Sequence, residues 1–324
     1  MLRRTGSVQR DADQLEQVAR RQDGVEEDLY IDQFRRPVEV LRFAADEKGP
    51  PTCVASTSKE WETGLVRPVE LPDGRVILPS KSLGRSRLLA AGRGEPELLL
   101  PDDREDSTEP ATLVGAKQLA FLSGPRGSRR VKLVERGEDR VRPVRTLKKV
   151  AADGLTTLVA SPKGDTLYYA YRGKVWAAPV DDSAEPRPVT DGDGVGVYPD
   201  SGDLLIQQFK KEGVHLYRVP EKGGMRDEMK VIMEEKLRLA PHALGAQAIH
   251  KDGRVLIPVT SADSWFWRVG VLEKGGRLTL LPVTYDGEII PASWDREGKV
   301  LAMGFPLRSE LWRLERQKPA AAGK

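Results

Sequence analysis

The three histidines, His215, His242 and His250, are the side chains best suited to metal binding or to proton transfer near neutral pH. None of them stands at metal-ligand spacing from another histidine, a cysteine or a carboxylate on a recognisable element. A structural role is therefore expected for all three, with no bound metal, no cofactor and no catalytic residue assigned. A site built from carboxylates alone stays open, because calcium binding and glycoside hydrolysis both rely on Asp and Glu.

A glycine-rich stretch at 191–196, with the sequence Asp-Gly-Asp-Gly-Val-Gly, superficially resembles a calcium loop or the start of a phosphate loop. An EF-hand loop needs further ligands and a Glu at its end, and a dinucleotide-binding loop needs a helix after it. The stretch meets neither condition. It is therefore interpreted as a turn between two repeating units of the chain.

Positive charge is concentrated at 126–149, where ten Lys and Arg residues stand against three Asp and Glu residues. An acidic turn at 102–109 lies just upstream, so a solvated surface on which the two signs compensate each other is one interpretation. The other is a docking patch for an acidic protein surface or a nucleic-acid backbone. The candidate partner-binding residues of this patch are Arg126, Arg129, Arg130, Arg142 and Arg145.

The elements that must position these side chains form a repeat. Seven strand-like runs carry a branched apolar residue followed by a large apolar one, and the second residues of these pairs, the markers, are Leu41, Leu89, Val134, Trp176, Tyr217, Trp267 and Trp312. The markers are 41 to 50 residues apart, which is about the length of a four-stranded propeller blade. The spacing predicts an all-β fold, a β-propeller of seven blades, with six or eight blades left open.

Each unit has the same internal order. A turn, usually with glycine, precedes an apolar strand, and the marker strand follows it. A shorter polar strand comes next, for example at 187–190, and its prolines and charges suit the exposed outer edge of a blade. An inner strand of small residues, for example at 156–161, then leads to the next turn and is expected to line a central channel.

The repeat predicts a single propeller domain over residues 1–317, with a disordered tail at 318–324. The last unit stops just after Leu314, before its outer strand. Residues 1–21 are expected to supply the missing strands, so that strands from both termini close the ring within one blade. A short helix or a disordered arm at 13–20 is the alternative.

Trp294 is the sixth candidate for partner binding. It ends an inner strand near the expected mouth of the channel, so its indole ring is expected to be partly exposed there. The alternative is that the ring plugs the channel.

One unit resembles a repeat of the TolB-like, WD-repeat-like β-propeller family. In it a Ser-Pro-Lys-Gly turn at 161–164 precedes an apolar strand, an apolar-aromatic strand follows at 175–180, and a strand with the sequence Arg-Pro-Val-Thr closes the unit at 187–190. The resemblance implies a propeller of six to eight blades. Two features of relatives are missing from this sequence: the export signal of TolB-like envelope proteins, and the catalytic motifs of the peptidases and kinases to which such propellers are attached.

Composition favours a chain with a polar outside and many tight turns, since charged residues make up 31% of it and it contains 31 Gly and 23 Pro. No segment reaches the roughly 18 to 20 apolar residues that a membrane span needs. The start of the chain lacks an apolar secretory region, so a cytoplasmic location is expected. Cys53 is the only cysteine, which excludes an intrachain disulfide, and the net charge of +3 does not by itself indicate a nucleic-acid partner.

The expected function is that of a non-enzymatic protein-binding or scaffold module, a monomeric ring that presents loops and channel mouth to a protein partner. One alternative is a propeller enzyme, a hydrolase or lyase acting on a sugar or peptide, which requires carboxylates with raised pKa values in the channel. A further alternative is polyanion binding through residues 126–149, which steep salt dependence would identify.

Overall fold

The computed structural model describes residues 15–22, 25–32, 39–56, 67–82, 85–92, 96–100, 105–136, 141–150, 152–221, 224–306 and 311–314. The chain divides into two compact units, one spanning 37–306 and the other combining 1–36 with 307–324. The expected tail at 318–324 lies outside the described residues, and a single domain over 1–317 stays a prediction. No helix in the described ranges combines the length and the apolar character that a membrane crossing requires.

The described residues form 27 strands. The first eight are β1 (Leu15–Gln22), β2 (Val25–Asp32), β3 (Glu39–Phe43), β4 (Thr52–Ser56), β5 (Val69–Glu70), β6 (Val76–Ser82), β7 (Arg85–Ala91) and β8 (Glu97–Leu98). The next eight are β9 (Ser107–Val114), β10 (Gln118–Ser123), β11 (Arg130–Arg136), β12 (Val141–Leu147), β13 (Leu155–Ala160), β14 (Thr166–Tyr171), β15 (Lys174–Pro179) and β16 (Arg187–Asp191). The remaining strands are β17 (Gly194–Val197), β18 (Leu204–Lys210), β19 (Gly213–Val219), β20 (Asp227–Glu228), β21 (Leu237–Leu239), β22 (Val255–Ser261), β23 (Ser264–Leu272), β24 (Leu278–Leu280), β25 (Gly287–Trp294), β26 (Val300–Pro306) and β27 (Leu311–Leu314).

The unit 37–306 is a β-propeller of six antiparallel, four-stranded sheets. Blade 1 has the order β25-β26-β3-β4, and the other five take their strands in sequence: blade 2 from β5–β8, blade 3 from β9–β12, blade 4 from β13–β16, blade 5 from β17–β20 and blade 6 from β21–β24. The first strand of each order is the inner one. The fourth is the outer edge.

Apolar side chains on both faces of each blade are buried against the two neighbouring blades. Phe121 of blade 3 belongs to the same apolar cluster as Ile77 and Leu88 of blade 2, and Leu133 of blade 3 belongs to the cluster that holds Leu158 of blade 4. This two-sided burial explains why the second strands read as continuous apolar runs rather than as alternating patterns. It also gives each blade the continuous core that the sequence repeat predicts.

The predicted count of seven blades is wrong by one. The first six markers each lie on the third strand of a blade, as the repeat predicts, but the seventh marker, Trp312, lies on β27 outside the propeller unit. Moreover, the apolar strand β26, which the repeat assigned to the last unit, pairs with the first marker strand, with Ala302 opposite Leu41. The first and last repeats therefore share one blade, and the count falls to six.

Local chemistry of the turns agrees with the prediction. Gly74 and Gly253 lie between an inner and a second strand with positive φ values of 82° and 89°, a region that favours glycine. The stretch at 191–196 joins outer strand β16 to inner strand β17, which confirms a turn between blades. Its Asp193 carboxylate accepts a hydrogen bond from the Phe209 backbone N–H at 2.8 Å.

The second unit contains a three-stranded sheet of order β1-β2-β27. Strand β1 contradicts the alternative of a helix at 15–20, and β2 pairs with β27 through Tyr30 and Trp312. Segments from both ends of the chain therefore share a sheet. Closure of the ring through residues 1–21 stays a prediction, and residues 1–14 lie outside the described part.

Candidate functional site

A cavity of about 570 Å³ opens at one end of the channel formed by the inner strands. Its lining comes from the carboxyl-terminal parts of β9, β13, β17 and β25 and from the turns that follow them, together with the segment before β22. Because the inner strands of blades 1, 3, 4 and 5 all contribute their carboxyl-terminal ends, these ends meet at the same mouth. This volume lies in the range of cavities that bind small molecules or side chains.

Trp294 lies in the wall of this cavity and is 4% exposed, so the expectation of partial exposure is wrong. Its indole N–H donates to the Ala248 carbonyl at 3.0 Å, which satisfies the buried donor. The His250 ring lies 4.9 Å from the Trp294 ring, and the Arg254 guanidinium lies 5.0 Å from it. These contacts hold the indole between neighbouring side chains, and its role in partner binding stays a prediction.

His250 is oriented by a carboxylate. Its Nδ1 lies 2.8 Å from Asp252 Oδ2, and the Arg254 Nε lies 2.8 Å from the same oxygen. Burial raises the pKa of Asp252, but hydrogen bonds from the Arg254 backbone N–H, His250 and the Arg254 side chain outweigh burial and lower it to about 2. Asp252 therefore stays ionised and fixes the imidazole that faces the cavity.

The rest of the wall combines exposed cations with a buried amide oxygen. Lys251 and Arg296 line the cavity and are exposed to solvent. Gln247 Oε1 is buried in the wall and accepts no hydrogen bond from the described residues. A ligand that donates one hydrogen bond and carries negative charge would complement these groups.

Behind the wall a buried ion network joins blade 1 to blade 2. Arg42 Nη2 lies 2.7 Å from Glu70 Oε1, and Arg42 Nε lies 3.0 Å from Asp295 Oδ2. Glu70 also accepts the Arg296 backbone N–H at 2.8 Å. The network thereby fixes the turn that carries Asp295 and Arg296 at the cavity rim.

A second polar cluster lies toward the amino-terminal ends of the inner strands, and no sequence motif predicts it. Arg67 precedes β5, Glu109 lies on β9 and Thr156 lies on β13. The Arg67 backbone N–H donates to Glu109 Oε1 at 2.6 Å, and Arg67 Nη1 donates to the Thr156 carbonyl. Blades 2, 3 and 4 therefore meet at Arg67.

Burial is the largest cause of the pKa shifts in this cluster. It raises the pKa of Glu109 to about 8, against the opposing effect of the nearby Arg67 charge and backbone N–H, so the carboxyl group is largely neutral at pH 7. Burial also lowers the pKa of Arg67, and it lowers that of His242, whose imidazole is further disfavoured as a cation by the Arg67 charge. The cluster therefore places one cation among neutral groups.

The five candidate arginines lie together on blade 3. Arg126 and Arg129 belong to the turn before β11, Arg130 begins β11, and Arg142 and Arg145 lie on the outer strand β12. All are exposed except Arg129, which is half-buried. Partner binding through them stays a prediction.

Compensation between the acidic turn and the basic segment is partial. Lys132 lies 3.4 Å from Glu105, which joins the two segments, whereas none of the five arginines forms an ion pair with a carboxylate in the described ranges. Glu109, counted with the acidic turn in the sequence, belongs instead to the channel cluster. Within the described part of the chain no three His, Cys, Asp or Glu residues are placed to hold a metal ion.

No family model matches the chain, and no curated protein matches it significantly. Solved structures do match. A protein described as TolB from Agrobacterium tumefaciens has a TM-score of 0.58 and 15% identity, over 84% of this chain and 99% of that one. A puromycin-hydrolyzing peptidase from Mycobacterium tuberculosis has a TM-score of 0.52 and 15% identity, over 96% of this chain and 55% of that one. A gluconolactonase from Xanthomonas campestris has a TM-score of 0.50 and 13% identity, over 89% of each chain.

At these identities the similarity shows the fold alone, and proteins of different function share it. The expected resemblance to TolB-like β-propellers is confirmed at the level of the fold.

Proposed function

We propose that this TolB-like propeller is a non-enzymatic binding module that receives part of a protein partner in the cavity at the carboxyl-terminal ends of its inner strands. The observation that carries the proposal is the cavity itself, about 570 Å³ in volume and built from the inner strands of several blades. Rigid strands fix its walls, and fixed walls reduce the ordering cost of binding.

The side chains in the wall support a protein segment as the occupant. The His250 ring, packed on the buried Trp294, supplies an aromatic contact, Gln247 Oε1 needs a hydrogen-bond donor, and Lys251 and Arg296 supply positive charge. A peptide offers backbone N–H groups for Gln247 and acidic side chains for the two cations. We therefore expect a partner segment with acidic residues.

Affinity capture from native lysate at low and high salt, read by mass spectrometry, tests the proposal when paired with variants. A double variant, Lys251→Glu with Arg296→Glu, should lose a stoichiometric partner that the unaltered protein retains. Lys211→Glu with Lys274→Glu is the matched control, since both lysines are exposed cations outside the cavity. A partner retained equally by all three proteins would contradict the assignment to this cavity.

The second candidate function is that of a carboxylate-based hydrolase or lyase acting on a sugar or peptide. Glu109 favours it, because a carboxyl group with a pKa of about 8 in the channel is suited to donate a proton near neutral pH. A screen of sugar and peptide substrates with the unaltered protein and with Glu109→Gln tests this candidate. Turnover that is abolished by Glu109→Gln supports an enzyme, and turnover that survives the substitution excludes Glu109 as its acid.

A further inference from the structure

Arg67 lies where the inner strands of three blades meet. Its Nη1 donates to the Thr156 carbonyl, but its Nε–H is buried and donates to no acceptor in the described part of the chain. No carboxylate of the described residues forms an ion pair with its guanidinium. An unused donor of this kind is costly, because the buried Nε–H group has lost its water without gaining an acceptor.

Glu109, an acidic side chain that contacts Arg67, leaves this charge largely uncompensated at pH 7. Its Oε1 accepts the Arg67 backbone N–H at 2.6 Å, so the carboxyl group contacts the main chain of Arg67. Burial keeps this carboxyl group largely protonated at pH 7. The other titratable group that senses the Arg67 charge, His242, is held in its neutral form by burial.

We propose that the amino-terminal part of the channel is an oxyanion site in which Arg67 binds a carboxylate or phosphate group of a ligand. A guanidinium presents its N–H donors in a planar fork that matches two oxygens of such a group, and Arg67 still has its Nε–H to offer. Thr156 and the Arg67 main-chain contact with Glu109 hold the residue in place for this role.

The site is distinct from the cavity of the proposed function. The Arg67 contacts involve the amino-terminal parts of β9 and β13, whereas the cavity is lined by the opposite ends of these strands. The inference holds whether or not Glu109 performs chemistry. Its failure would leave the partner-binding proposal untouched, because the two are tested with different residues.

Isothermal titration of the intact protein at pH 7 with acetate, and separately with inorganic phosphate, tests the site and distinguishes the two sources of an oxyanion. Binding of at least one of them is expected, and Arg67→Gln should weaken it by roughly 10- to 100-fold, as expected for loss of a charge-assisted hydrogen bond. Arg75→Gln is the matched control, because Arg75 already pairs with Asp73 at 2.7 Å and Glu97 at 3.3 Å. Its affinity should equal that of the unaltered protein.

Two further measurements keep the test decisive if Arg67→Gln unfolds. Arg67→Lys keeps the positive charge without the fork and should bind several-fold more weakly. Glu109→Gln should bind at pH 7 and lose the decline in affinity that ionisation of Glu109 imposes on the unaltered protein between pH 7 and 9. Absence of acetate and phosphate binding, or equal affinity in the folded Arg67 variants, would overturn the proposal.

Discussion

At the scale of single residues, two arginines of the propeller differ in whether carboxylates neutralise their charge. Arg42 lies between two carboxylates, Glu70 and Asp295, at 2.7 and 3.0 Å. Arg67 has a carbonyl and a largely neutral carboxyl group beside it and keeps an unused donor. The first arrangement stabilises the junction of blades 1 and 2, and the second leaves a cation available to a ligand.

Glu70→Gln should lower the free energy of unfolding by about 2 kcal/mol, because it leaves Arg42 with one carboxylate instead of two. The value is below that of a fully buried pair since the Arg42 side chain is 25% exposed. Urea denaturation monitored by tryptophan fluorescence measures it. Glu97→Gln, at an ion pair whose carboxylate is 75% exposed, is the control and should change stability by less than about 1 kcal/mol.

Glu109 makes stability depend on pH. Its folded pKa of about 8 lies above the unfolded value near 4.5, so between these limits the folded state binds more protons and the free energy of unfolding falls as pH rises. The slope from this group is at most about 1.4 kcal/mol per pH unit. Denaturation at pH 5, 7 and 9 should show the decline, and Glu109→Gln should flatten it. An equal decline in the variant would assign the effect to other groups.

At the scale of elements, positive charge is concentrated on blade 3, and part of it lies along the outer strand of that blade. Strand β12 is exposed from Arg142 to Thr146 and carries Arg142 and Arg145, while Arg126, Arg129 and Arg130 occupy the turn before β11 and its first residue. Lys132 reaches the acidic turn through Glu105. The exposed arginines are therefore free of carboxylate partners in the described part of the chain.

If this surface binds a polyanion or an acidic partner, Arg129→Glu with Arg130→Glu should weaken binding and reduce its salt dependence. Heparin chromatography and filter binding to single-stranded nucleic acid over a range of salt concentrations measure both quantities. Lys211→Glu with Lys274→Glu is the control, because both lysines are exposed on other blades. Unchanged binding and salt slope in the Arg129 and Arg130 variant would remove the basic surface from consideration.

Strand order, marker positions and turn glycines follow from local sequence, and these were predictable. The six markers from Leu41 to Trp267 lie on third strands because a branched apolar residue beside a large one suits a strand covered on both sides. The blade count was not predictable from the same pattern. It depends on β26 pairing with β3, a contact between residues some 260 positions apart, and on Trp312 joining another sheet.

The channel cluster was missed for a related reason. Arg67 precedes a two-residue strand, and Glu109 stands beside four other acids in a turn, so neither has a distinctive spacing in the sequence. Only the convergence of inner strands from different blades brings them together. The sequence correctly predicts that Trp294 lies on an inner strand, but its exposure depends on His250 and Arg254, which belong to another blade.

At the scale of the whole molecule, the terminal sheet offers a test of how the termini contribute. Strand β2 pairs with both β1 and β27, which ties the two ends of the chain together. Deletion of residues 1–21 removes most of β1 and, if the terminal strands close the ring, should strongly lower the melting temperature. Differential scanning calorimetry measures it, with deletion of 318–324 as the control. An unchanged melting temperature would reject closure through residues 1–21.

The composite nature of blade 1 has a consequence for biosynthesis. Blades 2 to 6 are built from consecutive strands and can form one after another as the chain leaves the ribosome, but β3 waits for β26 until nearly the whole propeller has been translated. Until then Val40 and Leu41, both fully buried in the finished fold, lie on a strand without its main partner. Nascent chains stalled before residue 300 would therefore expose the unpaired apolar edge of β3, and we expect such chains to aggregate unless a chaperone binds them.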